Sequence, residues 1–290
     1  IHVVGNGMMR KQVLGVEAVL ASGEVIRSMS GLAKNNTGYD LTQLLCGSEG
    51  TLGVITEVAL QLVRPRETEL VLAGCESVQQ ALDIAFGFTG KLVAAELMDR
   101  SGIECVSRVT GIAIPFNTPF HLLIEIAGDF DLDQLESLEH VTLAMDARDR
   151  ENFWALRERI TEATAVESTG INHKLDISVP LHELDPIYRD ITALLDQPHV
   201  RGVVLFGHLM DGNFHVFFVT DTEDETLDIA VLELVAARGG SISAEHGVGH
   251  MKPAHLHLSR SDAEIAAMRA IKGALDPAGI LNPGVLLPKD

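Results

Sequence analysis

The tightest constraint on this chain is the stretch Val203–Val219, VVLFGHLMDGNFHVFFV, in which two apolar, β-rich runs flank the pair Asp211-Gly212. A DG pair between such runs is a strong hairpin signal. With Asp211 and Gly212 as the central residues of a type I′ turn, the spacing predicts Met210 opposite Asn213, Leu209 opposite Phe214, and His208 opposite His215. Opposed residues share a sheet face with Cβ atoms about 5 Å apart, close enough for two imidazoles to reach one ion. A third candidate lies in Ser243-Ala244-Glu245-His246-Gly247-Val248-Gly249, where a carboxylate and an imidazole sit side by side among glycines. His208, His215 and Glu245 together form a His, His, Glu ligand set, and His246 is left as a base. Three N/O ligands with an open position suit a catalytic divalent metal, zinc first, with manganese or iron as alternatives. The plain alternative is a pair of neutral core histidines. Against it, only these two of the twelve histidines fall on opposed positions of the predicted turn, and two partly buried imidazoles repel once protonated.

At 290 residues and 46% hydrophobic content the chain is long enough for one large or two ordinary domains, each with a core. Its formal charge of −19 argues against nucleic acid or an anionic membrane as partner, so an anionic ligand would have to be held by a few local cations. Cys46, Cys75 and Cys105 are odd in number and outside any Cys-x-x-Cys pattern, which suits a reducing compartment: the cytoplasm, or the mitochondrial matrix in a eukaryote. No apolar run of about eighteen residues and no signal-peptide pattern are present, so no membrane span is expected.

In chain order, Ile1–Val4 reads as a strand. Val13–Leu20 and Glu24–Met29 read as a hairpin, Leu41–Leu45 as a short helix, and Val54–Val63 as a strand. Between the last two, Gly47-Ser48-Glu49-Gly50-Thr51-Leu52-Gly53 is a glycine-rich turn. It would bring backbone N–H groups close to a cofactor, or serve only as a tight connection. Pro65 and Arg66 mark a boundary. Beyond it we expect strands at Glu69–Cys75, Leu92–Met98 and Phe120–Ile126, and helices at Ser77–Thr89, Leu132–Leu143, Arg150–Val166 and Ala263–Leu275. The alternation around an antiparallel hairpin predicts an α+β fold with helices on one face of the sheet.

The run NNTGYDLTQLLCGSEGTLGVITEVALQLV, with GHLMDGNFH, SAEHGVG and DPAGILNPG following in order, resembles the FAD-linked oxidase family of the vanillyl-alcohol oxidase type, which includes glycolate oxidase and D-lactate dehydrogenase. WALRERITEA followed by HKLDISVP is similar to its D-2-hydroxyglutarate dehydrogenase branch. The resemblance implies that residues 1–64 are the C-terminal part of a flavin-binding domain and 65–290 a substrate- and metal-binding domain. Glu49, Gly50, Thr51, Gly53, Val54 and Ile55 match the segment that contacts FAD, and Asn282 lies in a motif placed near it. Arg157, Thr161 and Lys174 match the residues that hold the substrate carboxylate. The implied reaction is oxidation of a D-2-hydroxy acid, D-2-hydroxyglutarate-like, to the 2-oxo acid. The metal binds the α-hydroxyl, His246 takes its proton, and a hydride goes to flavin N5. Electrons would leave to an electron-transfer flavoprotein or a quinone. Family members carry a longer flavin segment ahead of the position of Ile1, so the chain alone is expected to bind metal but to be incomplete for FAD.

Two positions depart from the family pattern. Met210 stands where glycine is usual, and Phe217 where the hydroxyglutarate branch usually has an asparagine that can touch substrate. Lactate or glycolate thus remain alternative substrates. A metal-dependent hydrolase and an inactive fragment remain alternatives of another class, and assembly is open between monomer and homodimer.

Overall fold

The computed structural model describes all residues except 33, 89, 129–134, 136–137 and 289–290. The chain forms two compact units, one of residues 1–6 and 65–244, the other of residues 7–64 and 245–290. It is an α+β protein with antiparallel sheets.

The first unit is built on seven strands: β4 (Thr68–Cys75), β5 (Leu92–Asp99), β6 (Phe120–Ala127), β7 (Val141–Leu143), β8 (Ile171–Ser178), β9 (Val200–His208) and β10 (Asn213–Thr220). Their order is β7-β4-β6-β5-β9-β10-β8, and every pairing is antiparallel. Helices cover both faces, not one. Phe206 and Phe217 join a core with residues of helices Arg100–Thr110, Ala147–Glu158 and Ile160–Glu167. Their neighbours on β10 point the other way: Phe214 meets the Tyr188 ring of helix Leu184–Leu195, and Phe218 stacks on His173, which bonds Asp228 of helix Thr226–Ala237. A strand sandwiched on both sides reads as an unbroken apolar run, and that is how β10 reads.

Three local expectations change. Val3–Asn6 is a single helical turn, not a strand. The helix expected over Arg150–Val166 is two helices that meet at Arg159 (φ −89°, ψ 1°). Of the segment Leu132–Leu143, part lies outside the described residues, and Val141–Leu143 is an edge strand beside β4.

The hairpin itself is longer than predicted. His215 lies opposite Phe206, not His208. Leu209–Asp211 form a 3-10 turn and Gly212 follows with φ 69°. The cause is packing: Leu209 is buried, and the Gly212 carbonyl accepts the Val179 N–H (2.9 Å). A Cβ on Gly212 would collide with the Val179 carbonyl. The register thus moves by two residues, an even slip, so each side chain stays on the face expected of it.

The second unit has a three-stranded sheet, order β2-β1-β3, from β1 (Val13–Val19), β2 (Val25–Ser28) and β3 (Val54–Leu60). Its core is small: Val16, Ala18, Leu45 and Leu52, with Leu275 of helix Asp262–Leu275 packed against them. Ser261 and Glu264 form a capping box that starts that helix.

Candidate active site

Four adjacent strands of the first unit, β5, β9, β10 and β8, place a row of charged and aromatic side chains on one face. Glu96 pairs with His208 across β5 and β9, Phe206 with His215 across β9 and β10, and His215 with Asp176 across β10 and β8. His208 and His215 are therefore diagonal neighbours, their rings 5.5 Å apart and nearly perpendicular, with potential ligand atoms within 4.8 Å of each other. Each imidazole is backed by a carboxylate. His208 Nδ1–H donates to Glu96 Oε1 (2.7 Å), and His215 Nδ1 lies 3.4 Å from Asp176 Oδ1. A carboxylate at Nδ1 favours the tautomer with the proton there, which puts the lone pair of the neutral ring on Nε2. Asn213 Nδ2–H donates to the same Asp176 oxygen (2.8 Å) and holds it.

Glu96 is 1% exposed and uses both oxygens, since Oε2 accepts the Arg157 Nε–H at 2.7 Å. Burial by itself pushes the Glu96 carboxyl up, but the His208 hydrogen bond and the Arg157 charge hold it below the ordinary carboxylate range. Arg157 comes from helix Ala147–Glu158 and is only 5% exposed, its guanidinium lying 4.7 Å over the Phe206 ring. The single helix expected over Arg150–Val166 would put Arg157 and Thr161, four residues apart, on one face, but the break at Arg159 separates them: Arg157 is buried and Thr161 exposed. Lys174 lies on β8 opposite Phe217, exposed, with its ammonium 5.2 Å over the Phe217 ring. It also borders a cavity of about 500 Å³ with Arg108, Glu167 and Phe217.

Residues 241–244 run along β8: Ser178 and Ser241 exchange backbone hydrogen bonds, and the Ala244 N–H donates to the Asp176 carbonyl (3.4 Å). Glu245 and His246, the next two residues in the chain, are both exposed.

In the second unit three sequence motifs meet around Glu49. Its carboxylate accepts the N–H groups of Val248 (2.9 Å) and Gly249 (2.7 Å), tying GSEGTLG to SAEHGVG. A side chain on Gly247 would strike that carboxylate. The Glu49 carbonyl accepts from Asn282 Nδ2 (2.5 Å), and Gly50 packs beside Asn282. Glu49 and Asn282 both hold positive φ, 51° and 41°. Lys272 donates to the Thr51 and Leu281 carbonyls, 2.8 Å each, and pairs with Asp276, binding DPAGILNPG to the same place. That lysine hydrogen bond takes the Asp276 carboxyl down to about 2 against its burial. Thr51 Oγ1 donates to the Ser48 carbonyl, Gly53 is buried, and Val54 and Ile55 are exposed at the start of β3.

Sequence reasoning passed over Glu96, Asp176 and Lys272. A signal was present for the first two: Glu96 interrupts the apolar strand LVAAELM, and Asp176 interrupts LDIS. A carboxylate in a run of that kind must find a buried partner.

These features define a class. Residues 64–286 match the family of FAD linked oxidases, C-terminal domain, and the chain belongs to that family. It is 39% identical to the mitochondrial D-2-hydroxyglutarate dehydrogenase of Bos taurus, over 99% of this chain and 57% of that protein. To the D-2-hydroxyglutarate dehydrogenase of Stutzerimonas stutzeri (strain A1501) it is 33% identical, over 98% of this chain and 66% of that one. The chain thus spans little more than half the length of the curated relatives it matches. Two solved structures of alkyldihydroxyacetonephosphate synthase share the fold, with TM-scores of 0.61 and 0.63 at 15% and 14% identity, over 97% of this chain and 55% of theirs. Among the described residues no helix is long and apolar enough to cross a membrane.

Proposed function

We propose that this chain carries the substrate and metal side of an FAD-dependent oxidation of a D-2-hydroxy acid, with D-2-hydroxyglutarate as the first candidate. The supporting observation is the carboxylate-backed pair His208 and His215 on one buried sheet face. Two neutral imidazoles with Nε2 lone pairs fit a divalent ion such as zinc, and the sequence motif SAEHGVG offers the Glu245 carboxylate as the third ligand. When bound, that ion supplies Lewis acidity that lowers the pKa of a coordinated hydroxyl. FAD, held by the loop of Glu49, Gly50, Thr51, Gly53, Val54 and Ile55 and by Asn282, supplies the two-electron acceptor. Reoxidation by an electron-transfer flavoprotein or a quinone belongs to the same reading, as does the division into a flavin part up to residue 64 and a substrate part from 65.

The chain's own side chains do the rest. Arg157 is fixed by Glu96 at Nε, and its terminal nitrogens make no other hydrogen bond among the described residues, so they can take a carboxylate. Lys174 supplies a second cation and Thr161 a hydroxyl donor. Both cations suit an anionic substrate in a chain of formal charge −19. His246 takes the substrate hydroxyl proton, the general-base role that a neutral imidazole can fill. Phe217 sets an apolar wall beneath Lys174.

The test is calorimetric binding of D-2-hydroxyglutarate, D-lactate and glycolate to the zinc-loaded protein. Binding of D-2-hydroxyglutarate that falls at least tenfold in Arg157→Ala and in Lys174→Ala supports the reading. Equal binding by all three proteins removes both residues from the substrate site.

A further inference from the structure

Helix Ala147–Glu158 delivers two guanidinium groups, seven residues and two turns apart, to buried carboxylates on neighbouring strands: Arg150 to Glu125 on β6 and Arg157 to Glu96 on β5. The two pairs are not equivalent. Glu125 also meets Thr68 and His2. Glu96 meets His208, which lies directly across from it, through its other oxygen. One buried side chain therefore stands between an imidazole and a guanidinium that the proposed function assigns to different tasks.

We propose that Glu96 is a positioning residue that couples metal binding to substrate-carboxylate binding, one oxygen fixing the His208 tautomer and the other aiming the Arg157 guanidinium. This rests on the reading of His208 as a metal ligand. The geometry carries it in three ways. Oε1 and Oε2 each accept a single N–H at 2.7 Å, so neither donor can be served without constraining the other. Strand pairing sets the Glu96 to His208 distance, which does not depend on a flexible loop. Both partners are nearly sealed from water, at 5% exposure each, so no solvent molecule can take over either hydrogen bond cheaply. A glutamine in place of Glu96 has one acceptor oxygen and one NH₂, so it can serve both partners only by donating to Nδ1 of a His208 ring that carries its proton on Nε2.

The test uses the full 290-residue chain with zinc alone as probe, by competition against a chromogenic chelator, and long-range ¹⁵N NMR of the histidine rings without metal. Glu96→Gln is expected to lower zinc affinity about 10- to 100-fold and to convert His208 from an Nδ1-protonated ring to a mixture of tautomers. Arg157→Met, which removes no ligand, should change zinc affinity several-fold, and its effect should be non-additive with that of Glu96→Gln. If Glu96→Gln does not fold, the unaltered protein still decides, because a His208 ring protonated at Nε2 overturns the proposal. So does a folded Glu96→Gln with the zinc affinity of the parent. Failure of the underlying reading shows up separately, as zinc affinity that survives His208→Ala.

Discussion

Strands β10 and β3 illustrate two ways of holding functional groups. In β10 every residue but one is buried, and successive side chains serve opposite faces: Phe214 and Phe218 pack toward one set of helices, His215 and Phe217 toward the other. In β3 every residue but one is exposed, and Val54, Ile55, Val58 and Leu60 are open on a sheet of three strands. The first unit positions His208, His215, Glu96 and Asp176 by strand register, so their mutual geometry is set by the sheet. The second positions Glu49 and Asn282, both at positive φ, and Lys272 of helix Asp262–Leu275 by side chain to backbone hydrogen bonds with loops. A site set by register should fail globally when altered, and a site set by loop clips should fail locally.

That contrast can be broken at several points. The largest effect is expected from Arg157→Ala, which strands the buried Glu96 carboxylate: about 3–5 kcal/mol of stability in urea unfolding of the first unit. A loss near zero would show that the row is not a buried ion network. Gly212→Ala forces a side chain into positive φ against the Val179 carbonyl and should cost about 1–3 kcal/mol in the same assay. In the second unit the expected changes are local. The Asp276 carboxyl is held down to about 2 by Lys272, below its unfolded value, so its contribution is complete above pH about 4. It is lost as pH falls from there toward 2. Over that window the amides of Ile280 and Leu281, which donate to Asp276, should lose protection from hydrogen exchange, and Lys272→Ala should produce the same loss at neutral pH. The smallest effect belongs to Val58→Thr on exposed β3, within about 0.5 kcal/mol of the parent. A large loss there would mean that this strand is covered in solution.

Much of the site was legible because periodicity in a strand survives an error of register. Asp211-Gly212 marked the hairpin correctly but predicted a two-residue turn, and burial of Leu209 with the Gly212 to Val179 contact lengthened it. Since the slip was even, His208 and His215 still share a face. Ser77 fulfils its expected position at a helix start by accepting from Gln80, and Asp40 caps Leu41–Leu45 in the same way by accepting from Gln43. The helix break at Arg159 carried no proline or glycine to announce it, so Arg157 and Thr161 read as partners when one is buried and the other exposed. Glu96 was overlooked because its partners lie 61 and 112 residues away, and pairing at such separation is decided by sheet order, which no local pattern contains. The resemblance marks Arg157 as a substrate-carboxylate residue, and only the sheet shows what its Nε holds.

The central claim is that the face of the first unit bearing His208 and His215 belongs to a metal site. Zinc per chain, measured after metal loading and extensive dialysis, tests it most directly in the parent, His208→Ala, His215→Ala and the double variant. The account predicts close to one zinc per chain in the parent and none retained by any of the three variants, each still folded by near-ultraviolet circular dichroism. Stoichiometric zinc in the folded double variant would contradict it.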